Sequence, residues 1–286
     1  MQRERISDDI FVFTSSMYAQ VTAGAVLTSE GAVIIDTLPF PSETRQIIEF
    51  VSKRSPNGIR YVILTHYHAD HTYGAYLFRN SEIISHALCR DWLVQHGQAG
   101  LEASRAHTPD LAEVQLHIPN VVFENGEMTL RMGNKTLQLL HSPGHTLDST
   151  VVHIKEDKIL FAADTVMPVP YIVDGDPGIF VESLRMIRGL SLENVVQGHG
   201  EVVLRGEINE TLDSGIRYLE TIQTRVAKAI SAKKPRESMR EISIESCGKS
   251  RIPLNGLVQQ LHAANLLSLY DRLVEGDALR SKPSRK

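Results

Sequence analysis

Thr65-His66-Tyr67-His68-Ala69-Asp70-His71 places four ligand-type side chains in six residues, directly after the apolar run Ile59-Arg60-Tyr61-Val62-Ile63-Leu64. The run reads as a buried strand, and catalytic groups on open sheets tend to emerge where such a strand ends. Extended residues two apart share a face, so His66 and His68 can grip one metal ion. The coil into a helix then turns Asp70 and His71 toward a second. Imidazole suits Zn, Fe, Ni or Cu, and a carboxylate among imidazoles keeps a site open to water. A plain helix cap would explain Asp70 alone. Three clustered imidazoles would repel one another if protonated and gain nothing there if neutral.

Outward from this stretch the chain alternates strands and helices. Residues 10–13, 23–27 and 32–36 read as short strands of an antiparallel sheet, and a helix over 43–53 crosses to the strand at 59–65. A helix runs from Asp70 toward Phe78, followed by a short strand at 82–85 and a mostly helical, polar excursion over 88–115. After Pro119 the β pattern returns at 121–123, 128–130, 136–140, 151–154 and 159–162, with Asn125-Gly126 and Gly133-Asn134 as turns. A Pro- and Gly-rich loop at 165–180, a short helix at 182–189 and a strand at 194–196 lead into Gln197-Gly198-His199-Gly200. Beyond Glu207 everything regular is helical. Leu212, Ile216, Leu219, Ile222 and Val226 space one apolar face, and Leu257, Val258, Leu261, Leu266, Leu269 and Leu273 another. The division expected is an α/β domain over 1–205, a helical extension over 206–280 packed on it, and a disordered tail at 281–286. An apolar stripe left over on the extension would serve as a lid or as a homodimer interface.

Composition removes several classes. The 286 residues carry 30 Lys+Arg against 34 Asp+Glu, for a net charge of -4, without a basic block, so nucleic acid is not expected as a partner. A hydrophobic share of 42% supports a buried core and excludes disordered and fibrous classes. No stretch approaches the roughly 18 apolar residues of a membrane span. The start, MQRERISDDI, is charged where an export signal would be apolar, and Cys89 and Cys247 are too few for a disulfide framework; a cytoplasmic protein is expected. Histidine stands out at 12 against a single Trp.

Three further residues sit in small-residue loops at strand ends: His145 in Pro143-Gly144-His145, Asp164 in Ala162-Ala163-Asp164-Thr165, and His199 in Gly198-His199-Gly200. Alone, each would be a turn or cap residue. Together with His-x-His-x-Asp-His, and in this order, they make residues 10–205 resemble the metallo-β-lactamase superfamily of metallohydrolases. The resemblance implies an αββα sandwich with a dinuclear centre: His66, His68 and His145 on one metal, Asp70, His71 and His199 on the other, and Asp164 bridging. It implies two divalent ions, zinc first, with iron or manganese as alternatives. His141, four residues before His145, falls outside the family pattern and is read as structural or as a support for a ligand. Asp36, ending the strand 32–36, is read as an acceptor for a ligating imidazole or as a fixing point for its loop. His86, His96, His107, His117, His153 and His262 are read as ordinary imidazoles.

The chemistry this implies is hydrolysis by a hydroxide held between two cations, with Asp70 orienting the nucleophile or passing a proton to the leaving group. The substrate expected is a small molecule with an ester, lactone, thioester or related bond. True β-lactamases of the superfamily generally carry Cys or Ser where this chain resembles the aspartate-bridged members at Asp164. β-Lactam hydrolysis therefore stands as an alternative, as does a mononuclear-iron, sulfur-dioxygenase-like oxidation on the same scaffold. The apolar loop Met167-Pro168-Val169-Pro170-Tyr171-Ile172-Val173 follows Asp164 and would line a pocket. Tyr171 either donates its hydroxyl to a developing oxyanion or packs there.

Overall fold

The computed structural model describes residues 1–280. A first sheet holds seven strands in chain order: β1 (Gln2–Ser7), β2 (Ile10–Thr14), β3 (Thr22–Thr28), β4 (Gly31–Ile35), β5 (Ile59–Ile63), β6 (Glu82–His86) and β7 (Val121–Phe123). Strands β1 to β4 are antiparallel neighbours; β4 to β7 are parallel. A second sheet holds β8 (Glu127–Met132), β9 (Lys135–His141), β10 (Thr150–Ile154), β11 (Ile159–Ala163), β12 (Asn194–Gln197) and β13 (Val202–Leu204), in the order β13-β12-β11-β10-β9-β8. Only β11 and β12 pair in parallel there.

Period-two alternation sorts side chains into layers. Val33 and Ile35 of β4 face Phe161 of β11 and Val152 of β10 in a core between the sheets, while Ala32 and Ile34 face outward. On that outer side α1 (Pro41–Ser52) buries Ile47, Phe50 and Val51; the short helices α2 (Ala69–Thr72), α3 (Ala87–Trp92) and α4 (Gln98–Arg105) follow it in the chain. On the far side of the second sheet, Leu160, Ala162 and Val195 pack under α5 (Pro177–Arg188), α6 (Arg205–Ser231) and α7 (Val258–Arg280), whose contributions include Phe180, Leu212, Leu219, Ile222 and Leu266. The layers are helix, sheet, sheet, helix. The helices after residue 205 belong to this last layer and share its core with β11 and β12.

The structure departs from the sequence reading where burial does not write the pattern. β1, Gln2-Arg3-Glu4-Arg5-Ile6-Ser7, is an edge strand with no buried residue, held through its main chain to β2, so it carries no apolar alternation. β13 is only three residues long. The helix that follows the histidine motif is a single turn, Ala69–Thr72, continued by a 3₁₀ turn at Tyr73–Leu77. α5 begins at Pro177 rather than near Glu182, because Asp176 caps it by accepting from the Ile179 N–H and proline fits the first helical position. Cys89 and Cys247 are both free and buried. Among the described residues, no helix is long and apolar enough to cross a membrane. The expected disordered tail at 281–286 lies outside the described residues.

Phe161, 3% exposed between the sheets, is expected to cost about 3–5 kcal/mol when cut to alanine. Urea unfolding of Phe161→Ala, with an unchanged slope, checks this.

Candidate metal centre

Every strand that carries a singled-out residue ends at the same edge of the sandwich. β5 runs out into His66, His68, Asp70 and His71; the β9–β10 connection brings His145; β11 ends before Asp164; β12 ends before His199. Two main-chain bonds close the sheets on one another here, Thr150 N–H to the Thr65 carbonyl at 2.9 Å and Thr22 N–H to the Gly198 carbonyl at 2.9 Å. The result brings all seven side chains together in two groups: His66, His68, His145 and Asp164; and Asp70, His71 and His199. Within each group the candidate ligand atoms lie within 4.8 Å of one another.

Asp164 joins the groups. Its Oδ2 lies 3.3 Å from His145 Nε2 and 4.0 Å from His66 Nε2, while its Oδ1 lies 3.2 Å from His71 Nε2 and 3.5 Å from His199 Nε2. The close approach depends on Gly198, where an added Cβ would meet Asp164 Oδ1 at 1.9 Å. Asp70 Oδ2 lies 3.3 Å from His199 Nε2.

Each imidazole turns one nitrogen to this space and anchors the other. His71 Nδ1 donates to Asp36 Oδ2 at 2.8 Å, His145 Nδ1 to the Tyr171 carbonyl at 2.8 Å, and His199 Nδ1 to the Ala19 carbonyl at 2.9 Å. His66 Nδ1 lies 3.1 Å from Thr65 Oγ1, a hydroxyl that itself donates to Asp36 Oδ2 and so accepts from the ring. His68 is reversed: its Nε2 meets Asp174 Oδ2 at 3.3 Å and its Nδ1 faces inward, 3.0 Å from His145 Nε2. Outer acceptors of this kind fix tautomer and ring orientation in metal sites. His66 Nε2, His71 Nε2 and Asp164 Oδ1 are buried without a hydrogen-bond partner. Orphaned inward atoms on a set of five imidazoles and two carboxylates fit divalent metal ions of the zinc, iron or manganese kind.

The electrostatics separate the two groups. Burial pushes His66 well down and His145 to about 4, so these rings are neutral and ready to ligate. Burial is also the largest influence on His199 and opposes its protonation, but the carboxylates of Asp164 and Asp70 outweigh it and raise His199 to about 10. His71 is likewise held up, against burial, by Asp164, Asp36 and Asp70. Asp70 falls to about 2, because His71 and His199 overcome the cost of its burial. The anionic carboxylates of Asp70 and of Asp164, which faces both groups, thus balance the protonated imidazoles of His71 and His199 when no cation is bound.

Asp36 does what was expected of an anchor, and for two residues of the motif at once: it also accepts from the Thr65 N–H at 2.9 Å, from a left-handed backbone position with φ of 57°. His141 points elsewhere, stacked on His86 at 4.1 Å and bonded to the Leu147 carbonyl. Tyr171 lies beside the centre with its ring 6.1 Å from that of His145, and its main-chain carbonyl makes the contact. Three residues were missed. Asp148, fully buried, accepts from the Tyr67 N–H at 2.8 Å and so pins the histidine motif to the β9–β10 loop. Asp174 anchors His68. Tyr18 lies in the β2–β3 turn, and its hydroxyl is pushed up to about 12 by Asp70 first, then by burial, Asp164 and Tyr171. Only the last had a visible sequence signal, an aromatic in a polar turn.

Residues 18–204 match the family model of the metallo-beta-lactamase superfamily. The chain belongs to this superfamily. Among curated relatives, it is 31% identical over 132 residues to a thioesterase of Emericella nidulans, covering 45% of this chain and 38% of that one. It is 24% identical to an atrochrysone carboxyl ACP thioesterase of Aspergillus terreus, over 84% of this chain and 65% of that one. The chain therefore spans between roughly a third and two thirds of these relatives' length. Among solved structures, a metallo-beta-lactamase from Pontibacter korlensis aligns with TM-score 0.61 at 21% identity, over 74% of this chain and 97% of that one. A sec-alkylsulfatase from a Pseudomonas species aligns with TM-score 0.75 at 14% identity, over 98% of this chain and 52% of that one. The second match extends over the helical layer as well as the sandwich.

Replacing Asp36 with alanine frees His71 and the Thr65 turn together and is expected to weaken metal binding about 10–100-fold. Competition of the purified protein with a chromophoric chelator measures it.

Proposed function

We propose that the protein is a metal-dependent hydrolase with a dinuclear centre, cleaving a thioester, ester or lactone of a small-molecule substrate. The observation that carries the proposal is the division of Asp164, one carboxylate oxygen toward each group of imidazoles. His66, His68 and His145 would hold one ion, Asp70, His71 and His199 the other, with Asp164 shared. The chemistry a divalent pair supplies when bound is Lewis acidity: hydroxide at neutral pH and polarisation of a carbonyl oxygen. Zinc is the first assignment, with iron and manganese behind it.

The chain's own residues account for the rest. Asp70, with 17% of its side chain exposed where Asp164 has 5%, is the carboxylate that reaches the cleft. It orients the nucleophile and passes a proton to the departing sulfur or oxygen. Tyr18, half-exposed and next to the His199 anchor Ala19, has its hydroxyl kept protonated by Asp70 and Asp164 and is available as a donor beside the centre. Tyr171 contributes chiefly through its carbonyl to His145, while its ring lies 6.1 Å from that imidazole. The thioesterase names among the relatives favour a thioester over a β-lactam as substrate. Two buried free cysteines suit the reducing cytoplasm.

Elemental mass spectrometry of protein purified without added metal is expected to give about two divalent ions per chain. One iron per chain would overturn the dinuclear hydrolase in favour of oxidation chemistry. On a panel of acyl thioesters, esters and lactones, Asp70→Ala is expected to lower kcat by about 100-fold or more. Near-wild-type turnover by this variant would remove Asp70 from the mechanism.

A further inference from the structure

The outer nitrogens of His145 and His68 end on one irregular segment, residues 170–176: His145 on the Tyr171 carbonyl and His68 on the Asp174 carboxylate. No strand ladder holds this segment. It is gripped from two sides instead. On the side of the centre, the Asp176 N–H donates to the Gly144 carbonyl at 3.0 Å, and Gly175 lies so close to that carbonyl that an added Cβ would be 1.8 Å away. The segment is thus laid directly on the backbone that presents His145.

On the other side stands α7. Asn265, fully buried, accepts from the Ile172 N–H at 2.9 Å and donates to the Pro170 carbonyl at 2.7 Å, reading the segment's main chain as a neighbouring strand would. Its amide also donates to the Tyr218 hydroxyl at 3.1 Å; that hydroxyl donates to His262 Nδ1, and His262 Nε2 donates to the Ile242 carbonyl. Seven residues on, two helical turns along the same face, the Arg272 guanidinium donates to the carbonyls of Ile172 (2.5 Å), Val173 (2.6 Å) and Gly175. One planar fork therefore fixes three carbonyls of a segment that has few bonds of its own.

We infer that α7 is a positioning element for the three-histidine group: Arg272 and Asn265 set the segment 170–176, and through Tyr171 and Asp174 they orient His145 and His68. This rests on the reading that the two groups bind metal ions. The second group is anchored elsewhere, His71 on Asp36 and His199 on Ala19, neither of which α7 touches through these bonds. The consequence is selective, since loosening Arg272 should weaken one of two ions.

The test uses the full chain, stripped of metal and titrated with cobalt(II) against a competing chelator, so that the affinity of each equivalent is read without any substrate. Arg272→Lys keeps the charge and the stem but cannot reach three carbonyls; Asp174→Ala removes the His68 anchor from a half-exposed position. Each is expected to weaken one and the same equivalent by about 10-fold or more and to leave the other unchanged, and together they should be less than additive. Wild-type affinity for both equivalents in Arg272→Lys would overturn the inference. So would a parallel loss at both equivalents that follows a lowered Tm, which is what a merely structural role of α7 produces. Failure of the underlying reading looks different: the wild-type chain itself would take up no cobalt.

Discussion

Seven ionisable side chains crowded into one buried edge of a sandwich make a costly arrangement, and the rest of the structure is organised around tolerating it. Desolvation opposes charge on His66, Asp70, His71, His145, Asp164 and His199, and clustered imidazoles repel one another when protonated. What makes the arrangement possible is that each ring surrenders its outer nitrogen to a fixed acceptor. Those acceptors come from different parts of the chain: Asp36 at the end of β4, Thr65 at the end of β5, Ala19 in the β2–β3 turn, and Tyr171 and Asp174 in the segment before α5. The two sheets and the helical layer must all be in register before the inward nitrogens converge.

This dependence explains the strain found around the centre. Ala19, Gln20, Asp36 and Ala163 all adopt left-handed backbone conformations that ordinary residues avoid. Each lies next to or serves as an anchor, or precedes Asp164, whose two oxygens face the two groups. Strain of about 1–3 kcal/mol per residue persists only where surrounding structure fixes it, and such residues cluster at functional sites. Here the surrounding structure is the pair of sheets closed on each other by the Thr150–Thr65 and Thr22–Gly198 bonds.

The parts legible in the sequence were those in which chemistry and position coincide. His66, His68, Asp70 and His71 are dense enough to declare themselves, and the continuous apolar runs of β4 and β11, buried along their whole length, write the two-sided burial directly. His145, Asp164 and His199 became legible only in company, since each alone resembles a turn residue. The anchors were harder. Asp36 was visible because it ends an apolar strand, but Asp148 and Asp174 are single acids in loops, and nothing local distinguishes them from solvated ones. Arg272 and Asn265 sit on a helix whose apolar spacing is all that periodicity reports; their contacts lie about 95–100 residues away in the chain. β1 escaped because an edge strand held by its main chain needs no buried side chains. The helical extension was expected to pack on the sheet domain and also to serve as a lid or a dimer interface. It shares the outer core of the second sheet, and its polar contacts run to the segment behind the three-histidine group.

The proposed sharing of the Asp164 carboxylate between two metal ions is tested most directly by X-ray absorption at the metal edge of the loaded protein. The spectrum is expected to show nitrogen and oxygen neighbours only, together with a metal–metal path of about 3.5–4 Å. A first shell of nitrogen and oxygen without any metal–metal path, at full loading, would contradict it.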